Sequence, residues 1–183
     1  MSENITKYAE LTPRQIKKEV KRLFKDGLKI YKLGDLEEAI KLFNDALELD
    51  PNNYEILNQK GVLLDKMDNT EEAIKVYDKA IEIEPEQPKD YYNKGLLLKD
   101  LKKYDEALEI FDKVTEIDIM HLSAHFEKGL IHDELGHLEE AIKYYEAIVE
   151  VKPRANLVRY YLNKALEKKA ETTNVWKGKL QTE

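Results

Sequence analysis

A repeat of 34 residues constrains this chain more than any other feature of its sequence. Glycine, alanine and an aromatic residue each recur at that interval without an insertion, in the columns Gly27, Gly61, Gly95 and Gly129; Ala39, Ala73, Ala107 and Ala141; and Phe43, Tyr77, Phe111 and Tyr145. Within each copy, apolar residues follow helical spacing over two stretches of about a dozen residues. The pattern predicts four helical hairpins, with the small residues where two helices cross closely and the aromatic rings against the first helix of the following hairpin.

The ends of the repeated region predict additional helix. A hairpin of this size cannot bury its apolar face alone, so several copies must stack and the end copies need polar covers. Thr12 suits an N-cap with Pro13 at the first helical position, which predicts a long first helix from that point. Apolar residues after the fourth copy predict a closing helix over residues 156–170. We expect residues 1–11 to form a polar lead and residues 171–183 a loose tail.

The unit resembles the tetratricopeptide repeat, a 34-residue helix-turn-helix with a glycine, an Ala-x3-Phe and a proline in these columns. Pro51, Pro85 and Pro153 close the first, second and fourth copies, and Ile119 takes this place in the third. The resemblance implies an all-α fold, a right-handed superhelical solenoid of four repeats with an extended first helix and a C-terminal capping helix. The repeat region spans residues 12–155. Its four units lie at about 20–53, 54–87, 88–121 and 122–155.

The copies depart from the family pattern in two places. Charged residues precede the glycines where the family prefers a large apolar residue, and histidines replace aromatic residues in the fourth copy: Asp26, Lys60, Lys94 and Lys128; His125 and His132. His132 and His137 are five residues apart, whereas a zinc-protease helix needs histidines four apart on one face. His121 and His125 have that spacing, but His121 falls in a loop. We predict no metal site and interpret the histidines as core or surface residues.

The residue inventory argues against catalysis. The chain has no cysteine, which removes thiolate chemistry and disulfides. It also lacks a phosphate-binding glycine loop and a nucleophile elbow. We therefore predict a protein that is not an enzyme and has no cofactor. The polar beginning of the sequence and the lack of a long apolar run predict a cytoplasmic location and no membrane partner.

Charge is distributed unevenly along the chain. Residues 1–32 carry 9 basic and 4 acidic side chains, residues 152–183 carry 8 and 3, and residues 33–151 carry 13 and 30. Only the first helix could contact phosphates, and the acidic middle would repel them, so we expect no nucleic acid partner. The lysines of the first helix fit a solvated outer face; an acidic protein partner is the alternative.

The resemblance implies that the first helices line a concave groove, and it implies a non-catalytic scaffold that binds a peptide or helix of a partner protein there. The alternatives are that these side chains pack within the stack, or that the chain is a structural or regulatory subunit of a larger assembly or homo-oligomer. The predicted groove residues are Lys21, Phe24, Lys25, Leu28 and Tyr31; Asn58, Gln59, Val62 and Asp65; Lys89, Tyr92, Asn93, Leu96 and Lys99; and Phe126, Glu127, Leu130 and Asp133.

The groove columns also indicate what the partner is not. Family members that hold the carboxylate ends of chaperone tails use Lys, Asn and Arg in these columns. Phe24 and Leu28 replace the first two, and Ser123 and Glu127 interrupt the later copies. We therefore predict no carboxylate clamp. The basic first copy and the acidic fourth copy predict that a bound segment has one orientation.

Overall fold

The structure is a computed structural model that describes residue 8 and residues 11–180, with side chains described as far as Thr173. All regular elements in this part of the chain are helices: α1 (Pro13–Leu33), α2 (Leu36–Leu49), α3 (Tyr54–Lys66), α4 (Thr70–Ile83), α5 (Pro88–Asp100), α6 (Tyr104–Ile117), α7 (Leu122–Glu134), α8 (Leu138–Val151) and α9 (Asn156–Leu180). Three of the predicted helical pairs, α1/α2, α3/α4 and α7/α8, pack together, and α5 and α6 follow one another at the place of the remaining predicted pair. The all-α fold is confirmed.

Helix α1 begins where local sequence chemistry predicts. The Thr12 hydroxyl accepts a hydrogen bond from the backbone N–H of Gln15 at 3.4 Å, and the Gln15 side chain accepts from the backbone N–H of Thr12 at 2.9 Å. This capping box satisfies two N–H groups that have no partner within the helix. Helix α1 has 21 residues, whereas α3, α5 and α7 have 13 each. The extra residues of α1 contribute to the site described below.

The pairs α1/α2, α3/α4 and α7/α8 each cross at a glycine. A Cβ atom added to Gly27 would lie 2.6 Å from the Phe43 ring, and one added to Gly61 would lie 2.7 Å from the Tyr77 ring. The close crossing is as predicted, but the aromatic ring fills the space above the glycine of its own pair as well as meeting the next first helix. Phe43 shares one buried cluster with Ile56, which lies on α3.

A second column of 34-residue spacing appears in the turn inside each pair. Gly34 and Gly136 have φ of 90° and 77°, and Asp68 and Lys102 both have φ of 58°. All four residues therefore adopt the left-handed conformation that ends a helix, which costs glycine little and other residues more. The turn has one geometry in all four repeats, although glycine occupies it only in the first and the last.

The described chain divides into two compact units, residues 1–97 and 98–183, with the boundary inside α5. In unit 1, one apolar cluster joins α1, α2 and α3 around Leu23 and Phe43, and another surrounds Tyr77. In unit 2, Tyr145 of α8 is fully buried in a cluster that includes Val158 and Ala165 of α9. Helix α9 thus covers the last repeat, as the sequence predicts.

The prediction for the chain end is wrong in part. Helix α9 continues to Leu180, so residues 171–180 are helical and do not form a loose tail. Residues 181–183 lie outside the described residues, as does most of the predicted lead over residues 1–11. No helix in the described part of the chain is both long enough and apolar enough to cross a membrane.

Candidate functional site

An open cavity of about 750 Å³ lies beside α1 in unit 1. Its floor is apolar because α1 presents one residue per turn toward the loop after α2 and the beginning of α3. Polar and charged side chains surround this floor. The lining residues are Pro13, Ile16, Lys17, Val20, Lys21, Phe24, Lys25 and Leu28 of α1, with Leu49, Asp50, Asn53, Glu55 and Ile56 opposite. We call this cavity the α1 groove.

The extension of α1 builds one end of the α1 groove. In the 34-residue register Val20 corresponds to Tyr54, the first residue of α3, so residues 13–19 precede the repeat. Seven helical residues add about 10 Å of wall at 1.5 Å per residue. Pro13, Ile16 and Lys17 belong to this extension and line the groove. The repeat columns missed these residues because no other repeat has an equivalent.

The two walls of the α1 groove carry opposite charge. Lys17, Lys21 and Lys25 are exposed along α1 and form no ion pair within the described chain. Asp50 and Glu55 line the opposite wall. Asp50 accepts a hydrogen bond from the side chain of Asn53 at 2.9 Å, so part of its hydrogen-bonding capacity is already used. Asp50 and Glu55 form no ion pair within the described chain either, so both walls carry unpaired charge, and the three lysines make the α1 side basic.

The predicted groove residues of the first repeat lie at this site, with one exception. Lys21, Phe24, Lys25 and Leu28 all line the cavity. Phe24 also contacts Phe43, with ring centroids 5.7 Å apart, which holds its ring against the core. Tyr31 does not line the cavity; the ammonium of Lys66 lies 5.0 Å from the centre of its ring.

The predicted residues of the second and third repeats form a more polar surface. Asn58 is buried at 4% exposure, and it accepts a hydrogen bond from Lys89 at 2.8 Å while donating to the buried Asp90. Asp65 is exposed, and the remaining predicted residues are half-buried: Gln59, Val62, Tyr92, Asn93 and Leu96. Sequence analysis missed Asp90, because its chemistry becomes visible only when α3 and α5 are adjacent.

Two tyrosines near this polar surface have raised pKa values. Burial raises the pKa of Tyr54, and the neighbouring Asp90 carboxylate raises it further through a hydrogen bond. Burial also raises the pKa of Tyr77, and the charge of Asp65 acts in the same direction. Both hydroxyls stay protonated near neutral pH, so they serve as hydrogen-bonding groups and carry no charge there.

In unit 2 the predicted groove residues are already engaged. Glu127 pairs with Lys99 at 2.5 Å, and Asp133 pairs with Lys168 of α9 at 2.5 Å. The Phe126 ring contacts Tyr161 with centroids 5.5 Å apart, and Leu130 lines a separate cavity of about 300 Å³. Lysines therefore offset the charges of Glu127 and Asp133, which were expected to make the fourth repeat acidic. The predicted orientation of a bound segment then depends only on the basic first repeat.

The lysines ahead of the glycines have a role that sequence analysis missed. Lys94 of α5 pairs with Asp78 of α4 at 2.5 Å, and Lys128 of α7 pairs with Asp112 of α6. Both pairs join a first helix to the second helix of the preceding repeat, at the same register. For Lys60, in the second repeat, the residue at the corresponding position of the preceding repeat is Asn44, which carries no charge. Lys60 pairs with Glu72 instead, at 3.3 Å. These lysines are structural, which explains their position in the core-facing column.

The histidines of the fourth repeat surround one tyrosine. His132 stacks on Tyr144 with ring centroids 5.7 Å apart, and His125 stacks on the same ring at 6.1 Å. Burial lowers the pKa of His132. His121 Nδ1 accepts from the backbone N–H of Ala124 at 3.2 Å and so caps α7. Within the described residues, no three side chains of the metal-binding types come together.

These observations define a class of protein, a stack of helical pairs whose first helices leave a groove uncovered. The family comparisons agree with this class. The tetratricopeptide repeat family matches residues 31–94, and the family described as anaphase-promoting complex, cyclosome, subunit 3 matches residues 66–148. The chain therefore contains tetratricopeptide repeats, and this fold supports a protein-interaction scaffold in general. A comparison with curated proteins gives no match.

Solved structures with the same fold include several bacterial proteins. MamA from Desulfovibrio magneticus RS-1 is 22% identical, with a TM-score of 0.77 over 89% of this chain and 92% of that one. YrrB, described as a TPR protein with an unusual peptide-binding site, is 21% identical, with a TM-score of 0.71 over 92% of this chain and 84% of that one. PilF from Pseudomonas aeruginosa is 20% identical, with a TM-score of 0.70 over 86% of this chain and 72% of that one. At these identities the likeness establishes the fold.

Proposed function

We propose that this protein is a non-catalytic scaffold that binds a segment of a partner protein on the first-helix surface of unit 1. That surface consists of the α1 groove together with Gln59, Val62, Tyr92, Asn93 and Leu96. The observation that carries the proposal is the uncovered apolar floor of the α1 groove, which is continuous with the core around Val20 and Phe24. Exposed apolar surface of this kind on a tetratricopeptide-repeat protein suits an apolar anchor of a peptide or helix.

The peptide-binding site printed for YrrB supports this proposal by analogy of fold. A protein partner also suits the charge of the chain better than a nucleic acid does, because acidic side chains outnumber basic ones after α1, by 30 to 13 over residues 33–151. The absence of cysteine from all 183 residues is compatible with a reducing compartment, and the cytoplasm remains our prediction.

The test is affinity capture with the full chain, followed by mass spectrometry, and a comparison of two Leu→Glu variants. Leu96→Glu places a charge on the proposed surface. Leu33→Glu is the matched control, because Leu33 is 73% exposed at the end of α1 and away from that surface. We expect Leu96→Glu to remove the specific partners and Leu33→Glu to retain them, with equal helix content by circular dichroism. The proposal would be contradicted if both variants retained the specific partners. It would also be contradicted if Lys75→Glu, on the exposed face of α4, removed those partners instead.

The second candidate function is that of a subunit in a larger assembly or homo-oligomer. The basic wall of α1 favours it, because Lys17, Lys21 and Lys25 have no acidic partner within the described chain. The first turns of the second helices carry acidic residues, such as Glu37 and Glu38 in α2, which a basic wall of another copy could contact. Light scattering at low and high salt distinguishes the two. Association of the chain alone that disappears at high salt would support the assembly; a monomer at both salts supports the scaffold.

A further inference from the structure

We infer that the α1 groove binds an amphipathic helix of a partner protein that carries carboxylates along one flank of its apolar stripe. This inference rests on the proposed function and deepens it, because it assigns a chemistry to the partner and a location to the contact. It starts from three features of α1: an apolar stripe, a basic stripe and a wall that no other helix of the described residues covers.

The apolar stripe of α1 is incompletely covered. Ile16, Val20, Phe24 and Leu28 recur every four residues and line the cavity together. Val20 is 6% exposed, because the core holds its base, while Ile16, Phe24 and Leu28 remain half-buried. In a complete stack a neighbouring helix would cover such a stripe. Ahead of the first repeat the described chain supplies none.

The described part of the lead lies elsewhere. Tyr8 and Leu11 line a separate cavity with Gln15, Lys18 and Arg22. These α1 residues are on the face opposite Ile16 and Val20, since residues 18 and 20 differ by 200° at about 100° per residue. The groove is therefore not occupied by the residues of the lead that the structure describes.

The basic stripe determines the charge of the occupant. Lys17, Lys21 and Lys25 each follow an apolar groove residue directly in the sequence. The basic stripe therefore lies about 100° from the apolar stripe around the axis of α1. They advance by about 6 Å per step at 1.5 Å per residue. A helix in the groove that has acids at every fourth position beside its apolar stripe matches both the angle and the step. An extended segment alternates its side chains by 180° and cannot meet both stripes as well.

The lysines farther along the first helices are engaged by neighbouring side chains. Lys89 donates to Asn58, Lys94 pairs with Asp78 and Lys99 pairs with Glu127, each within 2.8 Å. The three lysines of the α1 groove form no such pair within the described chain. Their exposed ammonium groups stay hydrated until an acidic partner arrives, so they contribute to orientation and association rate more than to total affinity.

A second copy of this chain fits the groove less well. The acidic second helices of the repeats expose their carboxylates, but their apolar faces are buried against their own first helices, as Ala39 and Phe43 at 0% and 1% exposure show. The second helices of a folded copy therefore offer the α1 groove charges without apolar anchors. Helix α9 does expose Leu157 and Tyr160, but its charged side chains are mainly basic and would repel the lysines of the α1 groove. A partner helix that is not already part of a repeat stack can supply both.

The probe for the test is a synthetic 20-residue helix-forming peptide with a leucine stripe and glutamates at every fourth position on one flank. The control peptide has glutamine at those positions. Binding of both fluorescent peptides to the full chain is measured by anisotropy at low and high salt. We expect the glutamate peptide to bind at least tenfold more tightly at low salt and this difference to shrink at high salt.

Matched substitutions locate the contact on α1. Lys21→Glu should weaken binding of the glutamate peptide at least tenfold, whereas Lys75→Glu, the same charge change at an exposed position of α4, should change it less than twofold. Since the chain has no cysteine, a solvent-sensitive dye on Glu55→Cys should change its emission when the peptide binds. The same dye on Glu82→Cys, exposed on α4, should not.

Each contrary outcome is distinct. Equal weakening by Lys75→Glu and Lys21→Glu would show that only net charge attracts the peptide, and equal binding of the two peptides would show that the basic stripe has no role. Dimerisation of the chain that competes with the peptide would assign the groove to a second copy. Any of these overturns the inference. If Leu96→Glu still removes captured partners, the proposed function survives without it.

Discussion

The side-chain amide of Asn58 donates a hydrogen bond to the carboxylate of Asp90, and both groups are shielded from solvent, at 4% and 0% exposure. The bond joins α3 to α5 within unit 1. In the 34-residue register Ile56 and Ala124 occupy the position of Asp90, and both are buried. A polar contact has therefore replaced an apolar one at this point of the stack.

Removing only the donor should destabilise the protein. Asn58→Leu leaves a buried carboxylate without its amide partner, and we expect it to lower the free energy of unfolding by about 1–3 kcal/mol. The double variant Asn58→Leu with Asp90→Leu should recover most of this loss, because two apolar residues need no partner. Urea denaturation of the four chains in the cycle measures the coupling. Additive losses would mean that the bond does not couple the two residues.

The crossing at Gly61 predicts a destabilising alanine. Alanine is favoured over glycine in a helix by about 1 kcal/mol, but its Cβ at Gly61 would lie 2.7 Å from the Tyr77 ring. Because the ring is buried and cannot move aside freely, we expect Gly61→Ala to lower stability by about 1–2 kcal/mol. Thermal denaturation checks this value. In a Tyr77→Leu background the same change should cost less, and a Gly61→Ala chain that melts higher than the parent would contradict the packing.

The left-handed turn at Lys102 predicts a stabilising glycine. This conformation costs a residue with a Cβ about 1–2 kcal/mol relative to glycine. Glycine also increases the conformational entropy of the unfolded chain, which offsets part of the stabilisation. We expect Lys102→Gly to raise the free energy of unfolding by about 0.5–1 kcal/mol. Lys75 is the control, because it lies inside α4, where glycine is about 1 kcal/mol less favourable than a good helix former. Lys75→Gly should therefore destabilise the chain, and equal effects of the two variants would refute the assignment.

His132 predicts a stability that falls in acid. Burial lowers its pKa in the folded chain, and Lys128 and His137 act in the same direction while Glu140 and Asp112 oppose them. The unfolded state therefore binds more protons below about pH 6.5, so stability decreases as the pH falls through that value and becomes level below the folded pKa.

The matched replacement at His132 is leucine, which occupies this column as the buried Leu64 and Leu98. We expect the urea midpoint of His132→Leu to change less between pH 7.5 and pH 5 than that of the parent chain. His137→Gln, at an exposed position, should retain most of the parent's pH dependence. If His132→Leu keeps all of that dependence, another group is responsible.

The parts of the fold that the sequence predicts are those determined by local chemistry or by repetition. Gly27 and Phe43 recur with their counterparts every 34 residues, so the helical pairs and their close crossings follow from counting. Thr12 and Pro13 predict the start of α1, because capping involves residues three positions apart. The error at residues 171–180 has the same origin, since the sequence there lacks a repeated pattern although the structure continues α9 through it.

Contacts between different helices follow another logic. Lys94 and Asp78 are 16 residues apart and become partners only when α4 and α5 pack side by side. The sequence of this protein by itself determined the repeat, the four helical pairs and the absence of cysteine chemistry. Only the tertiary structure decided that the lysines ahead of the glycines in the later repeats pair with carboxylates, while Lys17, Lys21 and Lys25 have no such partner in the described chain and lie beside an apolar floor. The physical reason is that electrostatic partners and uncovered surface depend on distances in space that a one-dimensional pattern does not contain.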